Sequence, residues 1–325
     1  MQARGSRNVP LAPPVSPDCS GFGSMNALAL GLIAALCWGI HDITIRYLSR
    51  SVPILAALLC VLVVGAVFQI GILGVRQPDV VIPMRALLYA SLAGVAFLIA
   101  SMGLYFAFER GPVRVVAPVI ASYPILSIGF AVAGGSRVSL WQGLAVVVIL
   151  VGVALVATPT STAPDILAPN DTPAQDTAPP DIPAIGPTLL LAGMSAMGFA
   201  CTFKLGQMAA AVSDEITSAL IMRLVALVLL AGGMVAFMVH RRQTVRGTFW
   251  PGRHALVPLA CMGVLDGVAL LSVISAASLP NPEYAAVTSS VFGLITVVLA
   301  WAFLKERMTA LKWSGCLLAF AGIGY

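Results

Sequence analysis

Residues 284–325 read YAAVTSSVFGLITVVLAWAFLKERMTALKWSGCLLAFAGIGY. This is an apolar helix, a short charged turn (Lys305, Glu306, Arg307) and a second apolar helix rich in small residues. The same shape stands 170 positions earlier, as PVRVVAPVIASYPILSIGFAVAGGSRVSLWQGLAVVVILVGV. That offset sets Pro282 on Pro112, Arg307 on Arg137, Thr309 on Ser139, Gly315 on Ala145 and Gly322 on Gly152. Identities are few; the match rests on the apolar pattern and the shared turn. A repeat of this length divides the chain into two related halves.

Composition sets the class. Of 325 residues, 59% are hydrophobic and only 10% charged, and the mean hydropathy is +0.97. A soluble domain carries about 25% charged residues. A membrane-spanning helix needs roughly 20 apolar residues, and runs of that size recur throughout. The chain reads as an all-α integral membrane protein embedded in a lipid bilayer. A transmembrane barrel would show short alternating segments instead. The net charge of +5 is scattered, and without a basic stripe no nucleic-acid partner is expected. The six cysteines form no CxxC pattern and five lie in apolar runs. They suggest packing, with no metal site, disulfide framework or cofactor.

Residues 1–24 are polar and proline-containing and are expected to be a disordered tail; Met25, just before the first apolar run, is a candidate start. Five spans follow at about 26–48, 54–74, 86–108, 113–133 and 140–157. Span 4 carries Pro118 and Pro124, which should kink it and free carbonyls beside a cavity. Residues 158–187 hold eight prolines, four aspartates and no Lys or Arg. That composition buries too little to fold, so a disordered linker is expected at the repeat boundary. Five more spans read 188–210, 217–239, 256–278, 284–304 and from 310. The last is short: either the natural C-terminus lies past Tyr325 or the helix ends at the interface. With five spans per half, the two halves insert in opposite senses, which is the layout of many secondary transporters. Such halves build a site at their interface, opened alternately to either side.

Here the chain also resembles a family. LYFAFERGPVRVVAPVIASYPILS, VFGLITVVLAWAFLKERMT with Gly315 and Gly322 behind it, and the Trp38-Gly39 pair are similar to the EamA-type repeat of the drug/metabolite transporter superfamily. The resemblance covers residues 25–157 and 188–325 as two repeats. It implies ten helices, a central cavity, and export or exchange of small metabolites such as amino acids. Two positions depart from the pattern. The first half has Gly134-Gly135-Ser136 where the family carries a turn glutamate, kept in the second half as Glu306. The second half has Gly293 near the position of the family proline, kept as Pro124.

An ionisable group within a span is costly and faces a cavity or a partner. Asp266, near the middle of span 8, is either a proton-coupling carboxylate or substrate-amine anchor, or a structural partner of Lys204 or Arg223. His41 and Asp42 lie in span 1. Histidine suits a proton relay, or it is a buried side chain bonded to a carbonyl. Asp42 and Arg46, four apart, share a face and can pair. Arg46 and Lys204 stand near helix ends, where they can snorkel or contact substrate. Trp38, Tyr105, Ser122 and Tyr123 are candidates to line a cavity, or are packing. Glu306 reads as a capping or pairing residue.

Orientation is set by opposing signals. The side bearing both termini carries Arg4, Arg7, Arg76, Arg85, Arg137 and Lys204, and the other side carries more basic residues. The positive-inside rule places the richer side in the cytoplasm, whereas the resemblance implies cytoplasmic termini. The expected protein is a secondary carrier of the inner membrane, working by alternating access on a small-molecule substrate. Protons coupling through Asp266 or His41 are the expected drive. Two complete halves suffice for a monomer, with a homodimer as the alternative. A channel would need a filter built from repeated chains. An enzyme would need a Ser–His dyad, HExxH, or an aspartate pair formed by spans 1 and 8 meeting.

Overall fold

The computed structural model describes residues 18–76, 82–133, 140–157, 185–241, 251–279, 282–306 and 308–323. Among these residues there are helices and turns and no strand. The first half holds α1 (Asp18–Leu48), α2 (Ile54–Arg76), α3 (Met84–Arg110), α4 (Val113–Ala121), α5 (Tyr123–Ala133) and α6 (Leu140–Ala157). The second holds α7 (Ile185–Ala210), α8 (Glu215–Arg241), α9 (Arg253–Ser275) with a 3₁₀ turn at Ala276–Ser278, α10 (Glu283–Ser289), α11 (Phe292–Phe303) and α12 (Ala310–Ile323).

Among the described residues, seven helical segments are long and apolar enough to cross a membrane: Met25–Leu48, Ile54–Arg76, Met84–Arg110, Ile185–Ala210, Glu215–His240, Arg253–Ser278 and Tyr284–Phe303. Two shorter apolar helices are Val113–Ser127 and Ala310–Gly322. The protein is a multi-pass helical membrane protein. Helix α1 begins seven residues inside the stretch read as a tail, because a helix once nucleated extends cheaply. Helix α7 likewise begins at Ile185, inside the stretch read as linker. Residues 1–17 and 158–184 lie outside the described residues, as do Gly134, Gly135, Ser136, Arg137 and Arg307.

The solvent preference of a bilayer is visible along α1. Leu28, Leu32, Leu36 and Ile40, spaced by four, are exposed, while Ala34, Ala35, Trp38, His41, Asp42 and Ile45 are buried. Polar side chains turn inward because hydrocarbon offers them no hydrogen bond. Small residues let the helices close up: a Cβ on Gly31 would lie 2.7 Å from Ala285 O, and one on Gly152 would lie 2.6 Å from Gly315 O.

Spans 4 and 9, each expected as one helix, are interrupted at matching places, around Ser122 and around Ser290–Val291. Span 9 has no proline within it, so proline is not the common cause. At both breaks a serine hydroxyl donates to the carbonyl three residues back, Ser122 Oγ to Val119 O (2.7 Å) and Ser290 Oγ to Val287 O (2.6 Å). The backbone tightens there into i→i−3 bonds, Ser122 N to Val119 O and Ser290 N to Val287 O. Such back-bonding bends helices.

Packing between the halves is reciprocal. Helix α1 packs on α9 and on α10–α11, as α7 packs on α3 and on α4–α5; α2 packs on α9 as α8 packs on α3. Corresponding helices run antiparallel to one another. In α2 and α8, Gly65 and Gln69 lie at Arg223 while Arg76 reaches Glu215. In α6 and α12, Ala145 and Ile149 lie at Gly322 while Gly152 lies at Gly315 and Ala319. Spans 4 and 9 also meet, Ala117 and Ala121 of α4 lying at Gly293 of α11. Just past α11, Glu306 accepts from Val113 N (3.1 Å) and Arg114 N (3.2 Å), filling two donors left open at the start of α4. Glu306 is delivered by Lys305, the one non-glycine residue with positive φ (53°) among those described.

Candidate functional site

A buried cavity lies between the two halves. Its wall takes Trp38, His41 and Asp42 from α1, Leu58 and Leu62 from α2, Phe97 and Tyr105 from α3, Tyr123 from α5, Phe199 and Phe203 from α7, Asp266 from α9 and Phe292 from α11. The volume is about 20 Å³, room for roughly one water and too little for a metabolite.

Two polar clusters face this cavity. In the first, Trp38 Nε1 donates to Asp266 Oδ1 (3.1 Å), and Arg223 Nη1 lies 2.8 Å from Asp266 Oδ2. That second contact falls outside hydrogen-bond alignment and acts through charge alone. Arg223 is fully buried; its Nε donates to Gln69 Oε1 (3.2 Å), and the Phe97 ring lies 5.6 Å from its guanidinium carbon. Gly65 makes room for it, since a Cβ there would sit 2.3 Å from Nη1. In the second cluster, His41 Nδ1 is 3.0 Å from Asp42 Oδ1 and His41 Nε2 is 3.1 Å from Tyr105 OH. Asp42 is 1% exposed and its Oδ2 has no hydrogen-bond partner.

Aromatic rings fill the rest of the wall. Trp38 lies 5.5 Å from Phe203, 6.3 Å from Phe199 and 6.2 Å from Phe292, centroid to centroid. Tyr123 packs edge-on to Phe203 (5.2 Å) and its hydroxyl bonds Ala286 O and Ser289, tying the first half to the second.

Six of the residues expected at a site, Trp38, His41, Asp42, Tyr105, Tyr123 and Asp266, line this one cavity. The other three do not: Ser122 donates to Val119 O at the break in span 4. Lys204 is exposed on α7. Arg46 does not pair with Asp42; its Nη1 donates to Phe108 O (2.5 Å) and Glu109 O (3.3 Å). Carbonyls at a helix C-terminus lack partners and carry the negative end of the dipole, so they draw Arg46 while His41 takes Asp42. Asp266 pairs with Arg223, not Lys204. Helices α1 and α9 do meet, so both aspartates share the cavity, each with its own partner; no hydrogen bond links the two carboxylates among the described residues. Arg223 was named only as one of two possible partners of Asp266, and Gln69 and the phenylalanines were not named as site residues. Gln69 and Arg223 each interrupt a strongly apolar span, which was a usable signal. The phenylalanines carried none, because they look like any other apolar residue.

The profile of the EamA-like transporter family matches residues 25–158 and 186–325. An uncharacterized protein of Methanocaldococcus jannaschii, MJ1333.1, is 24% identical over 132 residues, 40% of this chain and 96% of that protein. A protein known from its crystal structure has the same fold, with a TM-score of 0.62 over 92% of this chain and 94% of its own, at 16% identity. Matched in both halves, the chain belongs to the EamA-like transporter family and is a membrane transporter of the drug/metabolite transporter superfamily.

Proposed function

We propose that the protein is a secondary carrier that exports a small metabolite, an amino acid or a related solute, across the inner membrane by alternating access. In this reading ten spans form two inverted five-span repeats. The seven long spans are joined by 113–133 and 284–303 as interrupted spans, the latter already among the seven, and by 140–157 and 310–323. Residues 25–157 and 188–325 are the repeats, with 1–24 and 158–187 as tail and linker. The antiparallel contacts of α2 with α8 and of α6 with α12 support it. Protons drive the exchange, and Trp38, His41, Asp42, Tyr105, Tyr123 and Asp266 form the substrate and coupling site. One chain carries the whole path and suffices as a monomer.

The observation that carries this reading is the pair of polar clusters buried in a cavity walled by both halves. Ionisable side chains persist at membrane depth where they serve a pathway, and a site between inverted halves is reached from either face. The test is flux in proteoliposomes against a panel of amino acids and amines, with and without a pH gradient. Saturable uptake that responds to the gradient is expected. Ohmic current without saturation would overturn the carrier in favour of a channel.

A further inference from the structure

One end of the spans gathers cations around a single carboxylate, away from the central cavity. There α1 and α3 end, α4 and α12 start, and the segment after α11 brings Glu306 to Val113 N and Arg114 N. Arg46 lies within electrostatic reach of Glu306, Arg50 and Arg114, and Lys312 within reach of Arg114 and Glu306. Arginine stays protonated, so the three arginines outweigh Glu306 by two charges whatever Lys312 carries. Glu109 and Arg110, exposed at the same end, offset each other, and the exposed Lys305 adds to the excess.

Much of this charge is covered and lacks a partner. The Arg114 side chain is 26% exposed, and its Nη1 stops 3.7 Å from Glu306 Oε2, beyond hydrogen-bond length. Its Nε is buried and has no hydrogen-bond partner. Lys312 is 4% exposed and takes part in no ion pair among the described residues. Glu306 is engaged with the α4 backbone and does not satisfy both. Covered cations without partners are costly, and what would complete this cluster is an anion with several acceptor oxygens.

We propose that the cluster of Arg114 and Lys312, with Arg46 and Arg50 beside it, binds the phosphate of an anionic phospholipid. A phosphate offers the oxygens that a guanidinium fork and an ammonium take. The depth fits a headgroup: Arg46 is two residues from the end of α1, Arg114 is the second residue of α4 and Lys312 the third of α12, and basic pockets between spans at that level hold anionic lipids. A lipid is favoured over free phosphate by the rings at the same end. Trp313, next to Lys312, packs edge-on against Trp301 at 6.0 Å, and Trp301 is 53% exposed. Such rings sit at the membrane interface, where acyl chains cover them and a free anion leaves them bare. The lipid would join α4 of the first half to α12 of the second outside the transport path, so this inference goes beyond the carrier reading and stands without it.

The test uses the purified full chain in mixed micelles, with phosphatidylglycerol and phosphatidylcholine brominated on their acyl chains as quenchers of tryptophan fluorescence. Phosphatidylglycerol should reach half-quenching at roughly a tenth of the mole fraction that phosphatidylcholine needs. That excess quenching should vanish when Trp301→Phe and Trp313→Phe are combined. Arg114→Gln and Lys312→Gln should each raise the half-quenching fraction about fivefold. Lys312→Arg should keep it, and Arg85→Gln, an exposed position at the far end of α3, should leave it unchanged. Equal quenching by the two lipids overturns the proposal on the wild type alone, even if a variant does not fold. Excess quenching that survives the loss of both tryptophans, or that Arg114→Gln and Lys312→Gln leave untouched, places the lipid elsewhere and also overturns it. Inorganic phosphate in phosphatidylcholine micelles should not move the thermal unfolding midpoint that phosphatidylglycerol raises. An equal rise with inorganic phosphate assigns the cluster to a free anion and overturns the lipid.

Discussion

The Arg223–Asp266 pair should behave as one unit in stability, and a double-mutant cycle measures this. At 2.8 Å and an effective dielectric of about 20, the gross attraction is about 6 kcal/mol. Much of it is offset by taking two charges out of water. Removing one partner is another matter, because the other is then stranded. Asp266→Asn leaves a guanidinium of 0% exposure with only Gln69 and the Phe97 ring. Arg223→Met leaves a carboxylate held by Trp38 alone. Each single change is expected to cost about 3–5 kcal/mol. The double variant leaves no stranded charge within the pair and should cost less than either single change, giving a coupling of several kcal/mol. The assay is equilibrium unfolding in mixed micelles with increasing SDS, followed by circular dichroism. Additivity of the two single changes within about 0.5 kcal/mol would refute the pair as a coupled unit. So would a double variant less stable than both singles.

Other positions give sharp contrasts. Gly65→Ala drives a methyl group to within 2.3 Å of Arg223 Nη1 and should cost about 1–3 kcal/mol. Gly71→Ala, on the same helix with open space around it, is the matched control and should be near neutral in the same titration. Glu306→Gln removes the negative charge from the start of α4 while keeping its shape, and should cost about 1 kcal/mol; an unchanged midpoint would show that the α4 donors find other partners. Tyr123→Phe deletes the hydroxyl that bonds Ala286 O and Ser289 and should cost about 1 kcal/mol, read as a lower midpoint in the unfolding titration.

Legibility differed between fold and site for physical reasons. Hydrophobic runs are local, so span positions could be read within a few residues. The breaks in spans 4 and 9 were half legible. Pro118 and Pro124 pointed to span 4, but the interruption follows the serine back-bonds at Ser122 and Ser290, a signal too common in sequence to single out. Charged and aromatic residues within spans 1, 3, 4 and 8 gave six of the cavity residues, because a polar group at membrane depth announces itself. Pairings were not legible. Asp42 was read with Arg46, one turn on, and is held by His41 instead; Asp266 was read with Lys204 or Arg223, and sequence distance does not rank the two.

The amino-acid sequence alone determined that this is a helical membrane protein made of two related halves, because hydrophobicity and repetition are properties of the chain itself. It also determined that few ionisable residues lie inside the spans. Only the tertiary structure decided which of these meet. It set Arg223 behind Asp266 and left Asp42 facing the cavity with one oxygen unpaired, and it sent Arg46 to carbonyls instead. The reason is that charge pairing falls off over a few ångströms, and those ångströms are fixed by how α1, α2, α3, α8 and α9 pack together.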